Sequence, residues 1–305
     1  MRLVCELLGL AHSTFYYSGH GRADAEAFKA ALIKQAGQHP TEGYRHLRER
    51  LRRLRRWKKT SRGRVQRWMQ RLKIQRKRRR KPRRTTNSQH GFKRYGNLLK
   101  HLIVDHPNHV WVCDLTWIKL ANGEEAYLAI ILDVFTRKIV GWALGRHLGH
   151  ELPLAALLRA FKHGTPDIHH SDQGVQYACE DYTQNLLDRD VQISMAAVGK
   201  AWENGYAERV IGTIKLDEVE LTEYADYQDA LRQLGRFIDT IYNKKRIHSS
   251  LGYLTPVEFE QQWRTRAYPK FCVLRPYWGD GPKEERYGSQ RRDPGRIAER
   301  LREPR

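Results

Sequence analysis

The chain has 305 residues, 56 of them Lys or Arg against 34 Asp or Glu, for a formal net charge of +22. So large a basic excess sets aside an ordinary small-molecule enzyme and points to a polyanionic partner. No run of about 18 apolar residues occurs, and the opening MRLVCELLGLAH lacks a signal peptide's basic start and apolar stretch, so a soluble, intracellular protein of two or three domains is expected.

Positive charge concentrates between Arg48 and Arg84, where the only acid is Glu49. Within that stretch Leu47, Leu51 and Leu54, then Val65, Trp68, Met69 and Leu72, recur at the spacing of two amphipathic helices, with Ser61 as N-cap of the second. The pair reads as a helix-turn-helix-like unit whose arginines, Arg64, Arg67 and Arg71 among them, neutralise phosphates, rather than as a merely solvated basic face. We place this small all-helical DNA-binding domain at 1–76 and a basic linker, which opens with KRRRKPRRTTNSQHGFKRYG, at 77–105.

The composition then shifts. WVCDLTWIKL, AYLAIILDVF and KIVGWAL are rich in β-branched and aromatic residues and are separated by turn signals at Asn122-Gly123 and near Thr136-Arg137, which predicts three successive antiparallel strands. Pro153 to Lys162 comes next as a helix, IHHS as a short strand, Tyr182 to Leu187 as a helix and VQISM as a short strand, after which helices dominate to Trp263. This order describes a mixed α/β sheet covered on both faces, placed at 106–262. The tail at 263–305 lacks apolar periodicity and is expected to be largely disordered. Cys5, Cys113, Cys179 and Cys272 form no CxxC pair, so buried free thiols are expected rather than disulfides or a structural zinc site.

Three carboxylates stand out. Asp114 sits in the middle of the first strand, flanked by Val112, Leu115 and Trp117, where an ionised group is costly unless a cation accompanies it. Asp172 comes after the IHHS strand at its carboxyl end, where loops of α/β sheets hold ligands. Glu208 lies on a helix, with Lys215 two turns further on the same face. Singly each reads as an ordinary surface or turn residue. Together they can converge, and hard oxygen donors in that number suit Mg2+ or Mn2+; two such ions support in-line displacement at phosphorus, with Lys215 on the substrate phosphate. Asp133 is a rival carboxylate, read as an ion pair with Arg137. His169 and His170 either pack at the strand end or, for His170, order the adjoining loop or orient a water.

These residues resemble the DDE transposases and retroviral-type integrases, specifically the second-reading-frame product of the insertion-sequence-three family. The likeness rests on Asp114 in WVCDLTW, Asp172 in HSDQGVQY, and Glu208 in ENGYAERVIGTIK with Lys215 at its end, with 35 residues between Asp172 and Glu208. Downstream, YNKKRIHSSLGYLTPVEF is similar to the family's closing motif, with Tyr242, Asn243, Arg246, His248 and Pro256 in matching places; upstream, CELLGLAHSTFYY and HPTEGYRHLRERL resemble the segment before the core. Glu203 stands where the family more often has Asp. The resemblance covers about residues 1–262. It implies an RNase H-like fold with a five-stranded sheet and two divalent ions at Asp114, Asp172 and Glu208. It also implies DNA contacts by Asn204, Lys215, Tyr242, Asn243, Arg246 and His248.

The implied reaction frees a 3′ hydroxyl at the element's end with water and transfers that end to another phosphodiester, with no covalent protein intermediate. The implied partners are terminal inverted repeats, target DNA, further copies of the chain and an upstream-frame product, in a cytoplasmic, nucleoid-associated setting. Because such proteins often act fused to the upstream frame, this chain alone is expected to bind element ends weakly. Two readings stay open from the residues: a metal-dependent RNase H-like nuclease, and a non-catalytic DNA-binding regulator.

Overall fold

A computed structural model describes residues 21–74, 91–100, 102–197 and 199–265. The CELLGLAHSTFYY segment, most of the basic linker and all but the start of the tail lie outside the described residues.

Three helices open the described chain: α1 (Gly21–Gln38), α2 (Tyr44–Arg53) and α3 (Arg62–Arg71). They close on Phe28, Leu32, Leu47, Leu51, Trp57, Val65 and Met69. Each large apolar side chain so buried contributes about 1.5–3 kcal/mol. Ser61 caps α3 as its sequence position predicts, accepting from the Arg64 backbone N–H at 3.2 Å. The Ala-rich α1 was not expected. Leu54 falls outside the apolar seam assigned to it, because α2 stops at Arg53 and Leu54 is 41% exposed.

The sheet has five strands, β1 (Val110–Lys119), β2 (Glu125–Asp133), β3 (Ile139–Gly145), β4 (Ile168–Ser171) and β5 (Gln192–Met195), in the order β3-β2-β1-β4-β5. The first three form an antiparallel meander, and β4 and β5 add in parallel. Gly123, at φ +86°, makes the β1–β2 turn. Helices α4 (Glu151–Ala160), α5 (Val175–Ala178) and α6 (Glu180–Leu187) cover one face; α7 (Gly205–Ile214), α8 (Tyr227–Arg236) and α9 (Pro256–Arg264) cover the other. β1 is central and its alternation divides the core: Trp111, Cys113 and Leu115 face α4 and α6, while Val110, Val112 and Ile118 face α7 and α8. Gly141 lets α4 seat on β3, since a Cβ there would lie 2.2 Å from the Ala156 carbonyl oxygen. The five-stranded mixed sheet, an antiparallel meander extended by two parallel strands and flanked by helices, is RNase H-like.

Three expectations are corrected. The end of the presumed linker packs on the core: Leu99 and Val104 are buried, and the Gly96 carbonyl accepts from the Met195 N–H beside β5. Asp133 makes no ion pair with Arg137; its buried carboxylate accepts from the Thr136 hydroxyl at 2.7 Å and the Phe135 N–H at 3.0 Å, while the Arg137 guanidinium lies 4.0 Å over the Tyr206 ring. Not every arginine of α2 is left for phosphate: Arg45, Arg52 and Arg53 are exposed, but two of the five also hold the core. Arg50 grips Glu42 and donates to the Lys245 carbonyl at 2.9 Å, and Arg53 donates to the Tyr253 carbonyl at 2.7 Å. Two cations assigned to phosphate thus join the helical unit to the core.

Candidate active site

Asp114 lies mid-strand on β1, on the alternation face that α7 covers. Its Oδ1 accepts from the Leu115 N–H at 2.8 Å. Burial, the neighbouring Asp172 charge and, more weakly, Glu208 raise its pKa to about 8, against the opposing pull of the Leu115 N–H and of Lys215. Such a carboxylate is under-compensated, with Lys215 as the cation that acts on it. Asp172 comes directly after β4, its Oδ1 accepting from the Gly174 N–H at 3.0 Å, which fixes the turn into α5. Glu208, in the first turn of α7, is the most exposed of the three, and partial burial raises its carboxyl. Lys215 ends that helix at a π-turn (Lys215–Val219), with its Nζ 5.3 Å from the Trp117 ring. Burial lowers its pKa while the nearby Asp114 charge opposes the shift.

Asp114 thus feels the charges of Asp172, Glu208 and Lys215, brought to it from strand end and helix. The three carboxylates do not all close to within 4.8 Å of one another, so the set is open rather than collapsed on one point.

Two hydrogen-bonded clasps hold α7 in place. The Asn204 side chain donates 2.9 Å to the Cys113 carbonyl, beside Asp114, and the Glu203 carboxylate accepts from the Asn97 side chain at 2.9 Å and the Ala197 N–H at 2.8 Å. Burial raises the Glu203 carboxyl, but these donors hold it below the usual range on balance. Glu in place of the more common Asp thus serves as an anchor. Asn204 is correspondingly corrected: at 4% exposure it is a buried strap between β1 and α7, not a surface contact for DNA. An amide just ahead of a helix-opening glycine was the available signal.

The closing motif is relocated in the same way. Tyr242 and Asn243 are buried, and the Asn243 amide pairs with both the N–H and the carbonyl of Ile139 at 3.0 Å, suturing the segment after α8 to β3. Arg246 is ion-paired with Asp217 at 2.8 Å, both side chains well covered. His248 lies edge-on to Tyr242, with its backbone N–H donating to the Leu254 carbonyl, and burial holds its imidazole well below the usual range. Tyr242 and Asn243 thus meet protein, while Arg246 and His248 are partly covered and keep some contact with solvent. Arg64 too is engaged, with Asp24 at 2.8 Å and the Phe28 ring at 4.2 Å, whereas Arg67 and Arg71 remain exposed on α3. His169 and His170 are fully buried; Tyr182 Oη contacts His169 Nε2 at 3.0 Å, and His170 Nδ1 contacts Ser194 Oγ at 2.8 Å. Burial depresses them to about 3 and about 4, so both are neutral packing groups rather than acids or bases.

A mixed sheet bearing acids mid-strand, at a strand end and on the covering helix defines the class of metal-dependent nucleic-acid transferases and nucleases. Comparison with known proteins narrows that class. Two integrase core domain families match residues 104–201 and 189–256. A 31 kDa protein of insertion element IS600 from Shigella sonnei is 31% identical over 87% of this chain and 100% of its own length. The transposase of IS904 from Lactococcus lactis is 35% identical over 51% of this chain and 62% of its own. A putative transposase of IS986/IS6110 from Mycobacterium tuberculosis is 30% identical over 64% and 73%. The chain belongs to the insertion-sequence transposases built on an integrase catalytic core.

Proposed function

We propose that the chain cuts DNA at the ends of an insertion sequence and joins the freed 3′ hydroxyls to target DNA, with Asp114, Asp172 and Glu208 holding two Mg2+ or Mn2+ ions. The observation that carries this reading is the placement of Asp114, a strand-centre carboxylate under α7 with Asp172, Glu208 and Lys215 as its charged neighbours. The donor set fits the ions: oxygen-only, anionic, and short of cations apart from Lys215. When bound, the ions supply charge neutralisation at the attacking and leaving oxygens.

The chain's own groups do the positioning. Lys215, flanking the carboxylates, contacts a phosphate oxygen and sets the scissile bond; the Asn204 and Glu203 clasps keep Glu208 in register with Asp114. Arg67 and Arg71, exposed on α3, contact the DNA backbone outside the site. The helical unit thus serves as the DNA-holding domain, and 91–265 as the core. Assembly of further copies on paired inverted repeats, and cooperation with an upstream-frame product, belong to the same reading.

The test is a metal-dependent reaction on labelled element ends with wild type, Asp172→Asn and Glu208→Gln. Joined products that vanish in both variants support the proposal. Cleavage without joining would mean a nuclease, and binding without reaction a regulator.

A further inference from the structure

Outside the carboxylate set, one group of side chains converges at the opposite ends of β1 and β4. Asp105 Oδ1 lies 2.7 Å from His106 Nδ1 and 3.0 Å from His109 Nδ1, and the two imidazoles stack with centroids 4.5 Å apart and planes 16° from parallel. Each residue offers a ligand atom, all within 4.8 Å of one another, and this is the only such three-residue group among the described residues. Asp105 is exposed while His106 and His109 are partly covered, so the donors face solvent on one side.

The turn that presents them is held rigidly. Asn108 sits at φ +63°. Its N–H reaches the Asp133 carboxylate at 3.3 Å, its side-chain oxygen accepts from Trp111 Nε1 at 3.1 Å, and its carbonyl accepts from the Asp167 N–H at 3.0 Å. The His109 carbonyl accepts from the Ile168 N–H at 3.0 Å, and the His106 carbonyl from the His109 N–H at 3.3 Å. Gly164 is needed here, since a Cβ on it would lie 2.6 Å from the Asn108 amide nitrogen. A second carboxylate completes the arrangement: Asp167 Oδ2 stands 3.0 Å from His106 Nε2. A carboxylate on Nε2 is the outer partner a metal-bound imidazole ordinarily has, and an ion taken up at Nδ1 displaces the hydrogen that Nδ1 shares with Asp105 Oδ1.

We infer that Asp105, His106 and His109 bind one transition-metal ion of the zinc class, with Asp167 orienting His106, at a site separate from the carboxylates of Asp114, Asp172 and Glu208. Two imidazoles and one carboxylate select zinc, nickel or cobalt over magnesium, which prefers oxygen donors and retains its water. Ligand atoms of a tetrahedral zinc site stand about 3.3 Å apart, so the oxygen-to-nitrogen separations need open by only about half an ångström, while the two rings turn out of their stack to bring both Nδ1 lone pairs onto one ion. The charges of Asp105 and Asp167 balance a divalent ion against two neutral imidazoles. An ion there staples the start of β1 to the start of β4, leaving the open side to water.

The test uses the full chain stripped with a chelator and titrated with Co2+, read by its visible ligand-field bands, and with Zn2+ by calorimetry. Wild type is expected to bind one more ion than His106→Ala/His109→Ala, whose affinity at that site falls at least 100-fold. Asp167→Asn is expected to bind 10- to 100-fold more weakly. Asp114→Asn/Asp172→Asn is expected to retain the site in full. His109→Gln, which keeps the size of the side chain, guards against loss by misfolding and is expected to abolish the ligand-field bands while preserving the circular-dichroism spectrum. Equal ion counts in wild type and the histidine variants would overturn the inference. So would loss of the bands in the Asp114/Asp172 variant, or displacement of Co2+ by millimolar Mg2+.

Discussion

Replacing Asp114 with Asn removes a charge from a place where the fold resists it, and keeps the oxygen that accepts from the Leu115 N–H. In the unfolded chain this carboxyl titrates near 3.8; in the fold it titrates at about 8, with burial the largest cause. Below the lower value both states hold the proton and no penalty exists. Between the two, the unfolded state ionises while the folded state keeps its proton, so stability is lost as pH rises, and the loss levels off above the folded value. The full shift corresponds to about 6 kcal/mol, of which about 4 kcal/mol is expressed at pH 7, and partial exposure of Asp114 reduces this to about 1–3 kcal/mol. The Asn variant carries no such penalty. It is therefore expected to be the more stable protein at pH 8 without metal, by roughly 2–12 °C in Tm at about 2–4 °C per kcal/mol, with the gap shrinking toward pH 4. Mg2+ is expected to raise the melting temperature of wild type more than that of the variant. Thermal melts across pH, with and without Mg2+, read this directly. An Asn variant less stable than wild type at pH 8, or a gap indifferent to pH, would refute the account of the site.

Asn243→Ala leaves the Ile139 N–H and carbonyl unpaired in the core and is expected to cost about 2–4 kcal/mol in urea denaturation, while the folded fraction binds DNA with unchanged affinity. Arg67→Ala/Arg71→Ala is expected to weaken DNA binding across all sequences and to lower the slope of log affinity against log salt by about 2, with the fold intact. NMR titration of His169 and His170 is expected to show both rings neutral from pH 8 to pH 5, because their pKa values lie at about 3 and about 4. Since these folded values are depressed below 6.5, the histidines' contribution to stability is present above that pH and is lost as pH falls through them; a ring that protonates near pH 6.5 would contradict its burial.

What could be read from the residues was whatever local chemistry decides. Runs such as AYLAIILDVF place strands because β-branched and aromatic side chains suit a pleated, buried surface, and Ser61 caps its helix through its own hydroxyl. That Asp114 would have Asp172, Glu208 and Lys215 as charged neighbours was also legible, since the strand–helix order dictates which faces meet.

Tertiary partners were not. Arg50, Arg53 and Arg246 look like phosphate ligands in one dimension, yet each is claimed by a carbonyl or carboxylate far along the chain. Asn204 and Asn243 look like surface amides, and their role as straps depends on backbone groups 91 and 104 residues away. Leu99 and Val104 lie in a polar stretch whose composition says linker, while the edge of β5 and the core beneath it decide their burial. The Asp105, His106 and His109 cluster depends on a left-handed turn at Asn108, set by Asp133 and Trp111, which no local pattern announces.

Strand joining by Asp114→Asn, at single turnover with a pre-cleaved labelled end, target DNA and Mg2+, tests the central claim most directly. The variant is expected to bind the end as wild type does, within about threefold, and to join it about 1000-fold more slowly or not at all. Joining at a tenth of the wild-type rate or better would contradict a catalytic site built on Asp114, Asp172 and Glu208.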